Sequence, residues 1–503
     1  MLTSTPGRMP PLESSARPVM VPVVDCAAAG SAATRIAAVV TKSLKALKII
    51  VPPPDSGSES GLPTEDIRNR APVPAGGYTA DAPAMDAADL SPIPETRRTQ
   101  PAFDLFLIFL AANVVATTLQ TGAVLASRYG GRDAMVLVVV GALVGALLVA
   151  VLAPVGSRFG VPSMVAARDP LGLRGAQAVS GLLYLTNFAW IAVNNTIAAS
   201  VCSQLLGGPG SAWVWSAAIG VAATLIVACG PRAVGLADRV AVPLMALAGF
   251  MLTWAAFTLV APQPLGGGGL PAEVELAAVA PPSLLWGIDV VIGYQLSWLL
   301  MFADYSRYTR SPGASATAVF AGLAIPALWL MPLGWSLARI AGSDDPGAML
   351  AATGMGGWAA LLVVLATLTT NFVNIYMSSL AWRTLAPQST GTGSVWVIGL
   401  VGTALGLIST AWLTSFADLM VMLGSVLVPV GGIFLAHFVV LRSKVDVAAI
   451  YQTAAMPAFN IAGVAAWILG FAVYKLAAPI GATLPALATS MAVFLLVRRL
   501  ARA

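Results

Sequence analysis

From Phe103 onward the sequence is a succession of twelve apolar runs, at approximately 103–127, 134–157, 176–206, 211–230, 240–261, 285–306, 316–341, 357–381, 393–414, 416–441, 455–475 and 478–499. A helix rises about 1.5 Å per residue and the hydrocarbon core of a bilayer is about 30 Å thick, so a run of about 20 residues is long enough to cross it. Lipid offers no partner to backbone N–H and C=O groups, so such runs must satisfy them internally as helices. The chain is 58% hydrophobic and 10% charged, with mean hydropathy +0.83 over 503 residues. A water-soluble protein of this length could not solvate that surface. The expected fold class is all-α integral membrane with twelve transmembrane helices.

Short-loop Lys and Arg residues set the orientation. Arg158, Arg168 and Arg174 follow the second run, Arg232 and Arg239 the fourth, and Arg307 and Arg310 the sixth. Arg383, Arg442, Lys444, Arg498, Arg499 and Arg502 fall on the same side. The opposite side holds Arg128, Arg132, Arg339 and Lys475, offset by Glu273, Glu275, Asp344 and Asp345. Both termini are therefore expected in the cytoplasm, with the chain multi-pass in the cell membrane. The net charge of +5 is explained by this asymmetry and does not call for a nucleic-acid partner. Cys26, Cys202 and Cys229 are scattered and suggest neither a disulfide framework nor a metal cluster. The single His437 lies in an apolar run, where a packing role is favoured over a proton relay.

Residues 1–100 differ in composition from the rest of the chain. They are rich in Pro, Ala, Ser and Gly, contain no run of spanning length, and read as a disordered tail or upstream extension before a transporter domain at 101–503. A start near Met85 is expected, because MDAADLSPIPETRRTQPAFDLF leads directly into the first run. The stretch from Ala27 to Val51, with Arg35, Lys42, Lys45 and Lys48 and few acids, could form a surface helix.

Two runs are interrupted by polar residues at mid-depth. The first carries Asn113, Thr117, Thr118, Gln120, Thr121 and Gly122, and the sixth carries Gly293, Tyr294, Gln295 and Ser297. Such breaks are costly in lipid unless they line a site. Two broken helices at matching places in two five-helix halves suggest inverted repeats, an odd number of spans forcing opposite topology. Helix-packing threonines are the simpler alternative for either run alone.

Other polar groups mark candidate contacts. Trp190 and Asn194 share a helix face at i, i+4, with Asn195 beside them, and an indole plate with a carboxamide suits a flat heteroaromatic ring with polar edges. In the eighth run Thr369 and Thr370 precede Asn371, with Asn374 one turn on, and paired hydroxyls offer hard oxygen ligands of the kind Na⁺ takes. Asp289, six residues before Gln295, falls in an outer vestibule or interface as a gate or structural group. Asp304 and Arg307 are spaced to pair across a helix end, in an inner-gate or structural role. With one histidine, no metal-ligand cluster and no phosphate-cradling loop, an enzyme is not expected; the run Gly266–Gly269 reads as a linker.

From about Met85 the chain resembles the nucleobase–cation symporter family, the purine–cytosine permeases. The resemblance rests on LSPIPETRR, FLAANVVATTLQTGAVL, GVPSMVAARDPLGLRGA, AWIAVNNTIAA, PRAVGLADRVAVPL, GYQLSWLLMFADYSRYTR and TLTTNFVN, in order. It implies the sodium-coupled leucine-transporter fold, two inverted five-helix repeats plus two C-terminal helices with helices 1 and 6 broken. It also implies import of cytosine, purines, allantoin, hydantoins or hydroxymethylpyrimidine-type rings with Na⁺ or H⁺. Under it, Trp190 looks like the ring-stacking tryptophan, Asn194 an edge-binding amide and Asn113 the amide of the first broken helix. Gln295, with Tyr294 next to it, stands where members commonly place a second aromatic plate, which suggests more hydrogen-bond recognition. Ala366 through its carbonyl, Thr369 and Thr370 resemble the sodium ligands, with the carbonyls of Phe109 and Ala112 as partners. The asparagine some members use in the eighth helix aligns with Ile375, so Asn371 or Asn374 would substitute.

The reading is a secondary active importer working by alternating access, with the bilayer and a small ring compound as partners, expected as a monomer. The rival on the same fold, a cation-coupled amino-acid or other small-solute transporter, would want a glycine-rich carboxylate site in the first run, which here is threonine-rich. A membrane sensor or membrane enzyme is the rival of another class.

Overall fold

The computed structural model describes residues 90–207, 211–260, 283–386, 391–408 and 416–501. The start near Met85, the surface helix at 27–51 and the linker glycines 266–269 lie outside the described residues. Within them the chain is helical, with no strand beyond one isolated bridge between Gln100 and Thr309.

Each apolar run coincides with a helix. In chain order these are α1 (Ala102–Asn113), α2 (Ala116–Ala126), α3 (Gly131–Ala150), α4 (Ala153–Phe159), α5 (Ser163–Ala166), α6 (Arg168–Leu171), α7 (Leu173–Leu205), α8 (Ala212–Ala228) and α9 (Pro231–Val260). Next come α10 (Leu284–Leu296), α11 (Pro312–Ala341), α12 (Pro346–Ala351), α13 (Gly357–Leu385), α14 (Gly391–Ile408), α15 (Phe416–Phe434), α16 (Val447–Tyr451), α17 (Ile461–Ala477) and α18 (Thr483–Leu500). Eight described helices are long and apolar enough to cross a membrane, nine if the bent pair α1–α2 is one span; Ala212–Ala228, Gly393–Leu407 and Ile461–Ala477 are shorter apolar helices. The eleventh run starts later than its composition suggests, at Ile461, because Asn460 caps that helix by accepting the Ala462 N–H at 3.1 Å.

The first span breaks as expected. α1 and α2 meet at 53° across Val114 and Val115. The sixth differs. Gly293, Tyr294 and Gln295 remain inside regular helix α10, and the α-helix gives way only after Leu296 to single 3₁₀ turns at Leu299–Met301 and Ser306–Tyr308. Gly293 packs its backbone close to Met420 of α15, while Tyr294 and Gln295 reach neighbouring helices through their side chains.

Close backbone approach organises the core. A Cβ on Gly122 would fall 1.8 Å from the Met331 carbonyl oxygen, and one on Gly334 would fall 2.0 Å from that of Leu119. Only glycine lets α2 and α11 pack this tightly, as small residues do in membrane bundles. α7 and α13 run antiparallel, since Asn194 meets Asn371 while Tyr184 meets Trp382.

Residues 90–100 are not a free tail. Arg98 donates to the carbonyls of Ile93, Ser157 and Arg158 at 2.9, 3.0 and 2.9 Å, Gln100 N–H donates to Tyr308 at 3.0 Å, and Tyr451 Oη donates to the Leu90 carbonyl. Polar side chains in this stretch thus tie it to helix ends, which its Pro-rich composition does not reveal.

Candidate functional site

The site centres on Trp190, half-buried at mid-length of α7. Two rings stand nearly perpendicular to its indole, Tyr294 of α10 at 6.0 Å and 82°, and Phe416 at the start of α15 at 6.5 Å and 72°. Perpendicular neighbours frame an aromatic plate without stacking parallel to it. Tyr294 Oη is 2.6 Å from Thr118 Oγ1 and 3.4 Å from Thr117 Oγ1. The threonines of the broken first span therefore hold the tyrosine that faces Trp190.

The break itself is tied down. Thr118 Oγ1 donates to the Asn113 carbonyl at 2.6 Å, and Asn113 Nδ2 donates to the Phe109 carbonyl at 3.1 Å. Asn113 Oδ1 accepts from Trp298 Nε1 at 3.3 Å. Both ends of the Asn113 amide are thus engaged by protein, joining α1 to the segment after α10.

Next to Trp190 lies a row of amides. Asn194 Nδ2 donates to Asn371 Oδ1 at 3.3 Å, and Asn371 Nδ2 donates to Asn195 Oδ1 at 2.8 Å. Asn194, Asn195 and Asn371 are all buried. The amide nitrogens of Asn374 and Asn187 are buried and have no partner among the described residues. Asn187 precedes Trp190 by one helical turn, and sequence reading missed it, although its i, i+3 spacing was there to see. Nothing local in the sequence marks Phe416.

Gln295 goes elsewhere. Successive helical residues point about 100° apart, and Gln295 turns away from Trp190 to donate to the Leu323 carbonyl at 3.2 Å. Its side chain occupies the space left by Gly145, where a Cβ would lie 2.6 Å from Gln295 Cβ. The structure does not bring it into the Trp190 cluster.

Thr369 and Thr370 donate to the Ala366 carbonyl at 3.0 and 2.8 Å. Ala366 shares a small cavity of about 20 Å³ with Val114 and Val115 at the break of the first span. Phe109 and Ala112 stand just before that break on α1. The rest of its lining, Leu119, Leu252, Leu330, Leu362 and Val363 among them, is apolar, so the hollow offers few partners to a water or an ion. A groove of about 630 Å³ lies instead on α9 among Phe250, Met251, Trp254 and Phe257. Those aromatic rings are largely exposed and its lining is almost wholly apolar, as a lipid-facing surface would be.

Asp289 is a cap. Its carboxylate accepts the N–H groups of Ala482 and Thr483 at 2.6 and 3.0 Å, at the start of α18. Asp304 and Arg307 are both buried; Asp304 is hydrogen-bonded to Ser163 and lies within electrostatic reach of Arg307. Arg307 lies over the Tyr308 ring at 5.0 Å and donates to its hydroxyl at 3.0 Å. His437, within a π-helical segment at Leu435–Val440, bridges Asp169 (2.9 Å) and Arg498 (2.8 Å). Arginine can only donate, so His437 Nδ1 accepts and Nε2–H donates to Asp169.

The family model described as permease for cytosine/purines, uracil, thiamine, allantoin matches residues 92–495. The cytosine permease of Escherichia coli strain K12 is 24% identical over 382 residues, covering 76% of this chain and 87% of that protein. Among solved structures, Mhp1, a nucleobase-cation-symport-1 family transporter in a closed conformation with bromovinylhydantoin bound, superposes with a TM-score of 0.67 at 18% identity, over 82% of this chain and 94% of its own. A Na⁺-coupled sialic acid symporter in an outward-open state shares the fold with a TM-score of 0.53 at 12% identity, over 81% of this chain and 91% of its own. With the match spanning all the helices that build the Trp190 site, this chain belongs to the family of membrane permeases for cytosine/purines, uracil, thiamine and allantoin.

Proposed function

We propose that this permease imports a nucleobase or a closely related flat heteroaromatic ring, coupled to a cation. The observation that carries this is Trp190, framed by the perpendicular rings of Tyr294 and Phe416, with the Asn194 amide one turn on. The ring of the substrate stacks on the indole, and a polar edge bonds to the Asn194 amide. Na⁺ binds between the first-span break and α13, with the Ala366 carbonyl and the Thr369 and Thr370 hydroxyls supplying oxygens and the Phe109 and Ala112 carbonyls facing them. The Thr369 and Thr370 hydroxyls gathered on the Ala366 carbonyl support this placement, and so does the likeness in fold to a Na⁺-coupled symporter.

In this reading the three shorter apolar helices also cross the bilayer, giving twelve spans in two inverted five-helix repeats with α17 and α18 added, and both termini cytoplasmic. The protein acts as a monomer. Ion binding favours the state that accepts substrate, a coupling of about 1–3 kcal/mol, and rocking of the bundle exposes the ring inward.

Equilibrium binding of labelled cytosine, adenine, hypoxanthine, allantoin and a hydantoin to purified protein tests the proposal. Saturable binding of one of them, lowered in Trp190→Ala by about 1–3 kcal/mol of lost stacking, is the expected result. Binding of aliphatic amino acids and of none of these rings would overturn it.

A further inference from the structure

At the end of α7 far from Leu173, polar groups fasten a short segment of the chain across the bundle. Asp345, the residue before α12, holds α7 with its carboxylate. Its Oδ1 accepts the Ser200 hydroxyl at 2.9 Å, and its Oδ2 accepts Gln204 Nε2 at 2.6 Å. The same Oδ2 caps α12 by accepting the Ala348 N–H at 2.9 Å. Hydrogen bonds to a charged acceptor are the strong kind. Gly347 completes the seat. A Cβ there would lie 2.4 Å from Gln204 Nε2 and 2.9 Å from Ser200 Oγ, so α12 rests on α7 as closely as glycine allows.

The neighbouring residue meets a different helix. The Asp344 carbonyl accepts Gln120 Nε2 of α2 at 3.0 Å. Gln120 is buried, and its Oε1 has no partner among the described residues. This amide is half satisfied while the bond is made, and water would satisfy it fully once the bond parts. Gln120 lies two residues past Thr118, which holds Tyr294, and Ser200 lies ten residues past Trp190, about 15 Å along the same helix. The two adjacent aspartates therefore join the helices that carry the two walls of the Trp190 site. Gly342, where α11 ends and this segment begins, takes the left-handed backbone with φ 66° and supplies a pivot.

We propose that residues 342–351 form an outer lid carried by α7, and that the Gln120–Asp344 bond is its latch, parting from α2 when the site opens while the lid stays seated on α7. α2 is held elsewhere, packed backbone to backbone on α11 at Gly122 and Gly334. When the α2–α11 pair draws away from α7, either one neutral hydrogen bond at Gln120 breaks or two at the Asp345 carboxylate do. The single neutral bond is the weaker. The lid rests on alternating access and on the outward placement of Asp344 and Asp345, and not on which ring is carried. Gln120 and Asp345 touch no substrate in this account; they bias the balance between covered and open states.

The test is pulsed electron paramagnetic resonance on the full chain in liposomes, with Cys26, Cys202 and Cys229 replaced by alanine. Spin labels go on cysteines substituted at the exposed positions Ala351 of the lid, Arg132 of α3 and Trp213 of α8. α3 moves with α11, since Gly131 abuts Trp335, and α8 moves with α7, since Gly220 abuts Asn195. Gln120→Met keeps the volume and removes the donor, and Gln120→Asn keeps an amide that falls one methylene short. Both are expected to raise the fraction of the longer Ala351–Arg132 distance at least about threefold, and to leave the Ala351–Trp213 distance as in wild type. An unchanged Ala351–Arg132 distribution in the folded variants, or a lengthened Ala351–Trp213 distance, would overturn the lid. The measurement needs no ring compound, so failure of wild type to bind any nucleobase is a separate result that strikes the nucleobase reading alone.

Discussion

The Tyr294 hydroxyl stands 2.6 Å from Thr118 Oγ1 while the Tyr294 ring faces Trp190 edge-on at 6.0 Å, so one side chain joins the broken first span, the third span and the sixth. Replacing Tyr294 by Phe keeps the ring and removes the tie. A neutral hydrogen bond contributes about 0.5–1.5 kcal/mol net, so substrate affinity should fall by roughly 2- to 12-fold. Binding isotherms on purified protein measure this. Complete loss of binding with the fold intact would show that the hydroxyl touches the substrate itself.

Gln295→Met should leave substrate affinity within about twofold, since the amide bonds to Leu323 and packs on Gly145, and the swap conserves volume. The cost should appear as lowered thermal stability of about 1 kcal/mol from the Leu323 carbonyl left without its donor. A loss of affinity greater than tenfold would return Gln295 to the binding site.

Thr369→Ala combined with Thr370→Ala removes two hydroxyl oxygens beside the Ala366 carbonyl. The double variant should need several-fold more Na⁺ for half-maximal substrate binding. An unchanged Na⁺ dependence, read by titrating Na⁺ at fixed substrate, would move the ion elsewhere.

Two buried polar groups should matter for stability and not for affinity. Asp289→Ala removes both acceptors at the start of α18 and should cost about 0.5–2 kcal/mol, as other lost helix caps do. His437→Leu leaves Arg498 and Asp169 without their bridge and should lower the melting temperature in detergent. Normal melting of both variants would contradict these assignments.

The range of each signal decides whether the sequence shows it or hides it. The runs and the break near Asn113 are local, and both were legible. Tyr294 and Gln295 are adjacent, and both looked like site residues. Which of them faces Trp190 depends on Gly145, far away in the chain, opening a place for the glutamine. Asp289 looked like a vestibule acid because its distance from Gln295 is readable, whereas its partner Ala482 is not. Asn195 and Asn371 stand out in the sequence as polar groups within apolar runs, but only the α7–α13 packing shows that they bond to each other. His437 looked solitary because Asp169 and Arg498 arrive from two distant segments.

The most direct measurement is uptake of labelled cytosine, adenine, hypoxanthine, allantoin and hydroxymethylpyrimidine into proteoliposomes, with and without an inward Na⁺ gradient. The account predicts uptake of one ring compound, stimulated by the gradient and lost in Trp190→Ala. Uptake driven by a proton gradient alone would remove the ion site beside Ala366, and no uptake of any ring by folded wild-type protein would contradict the central claim.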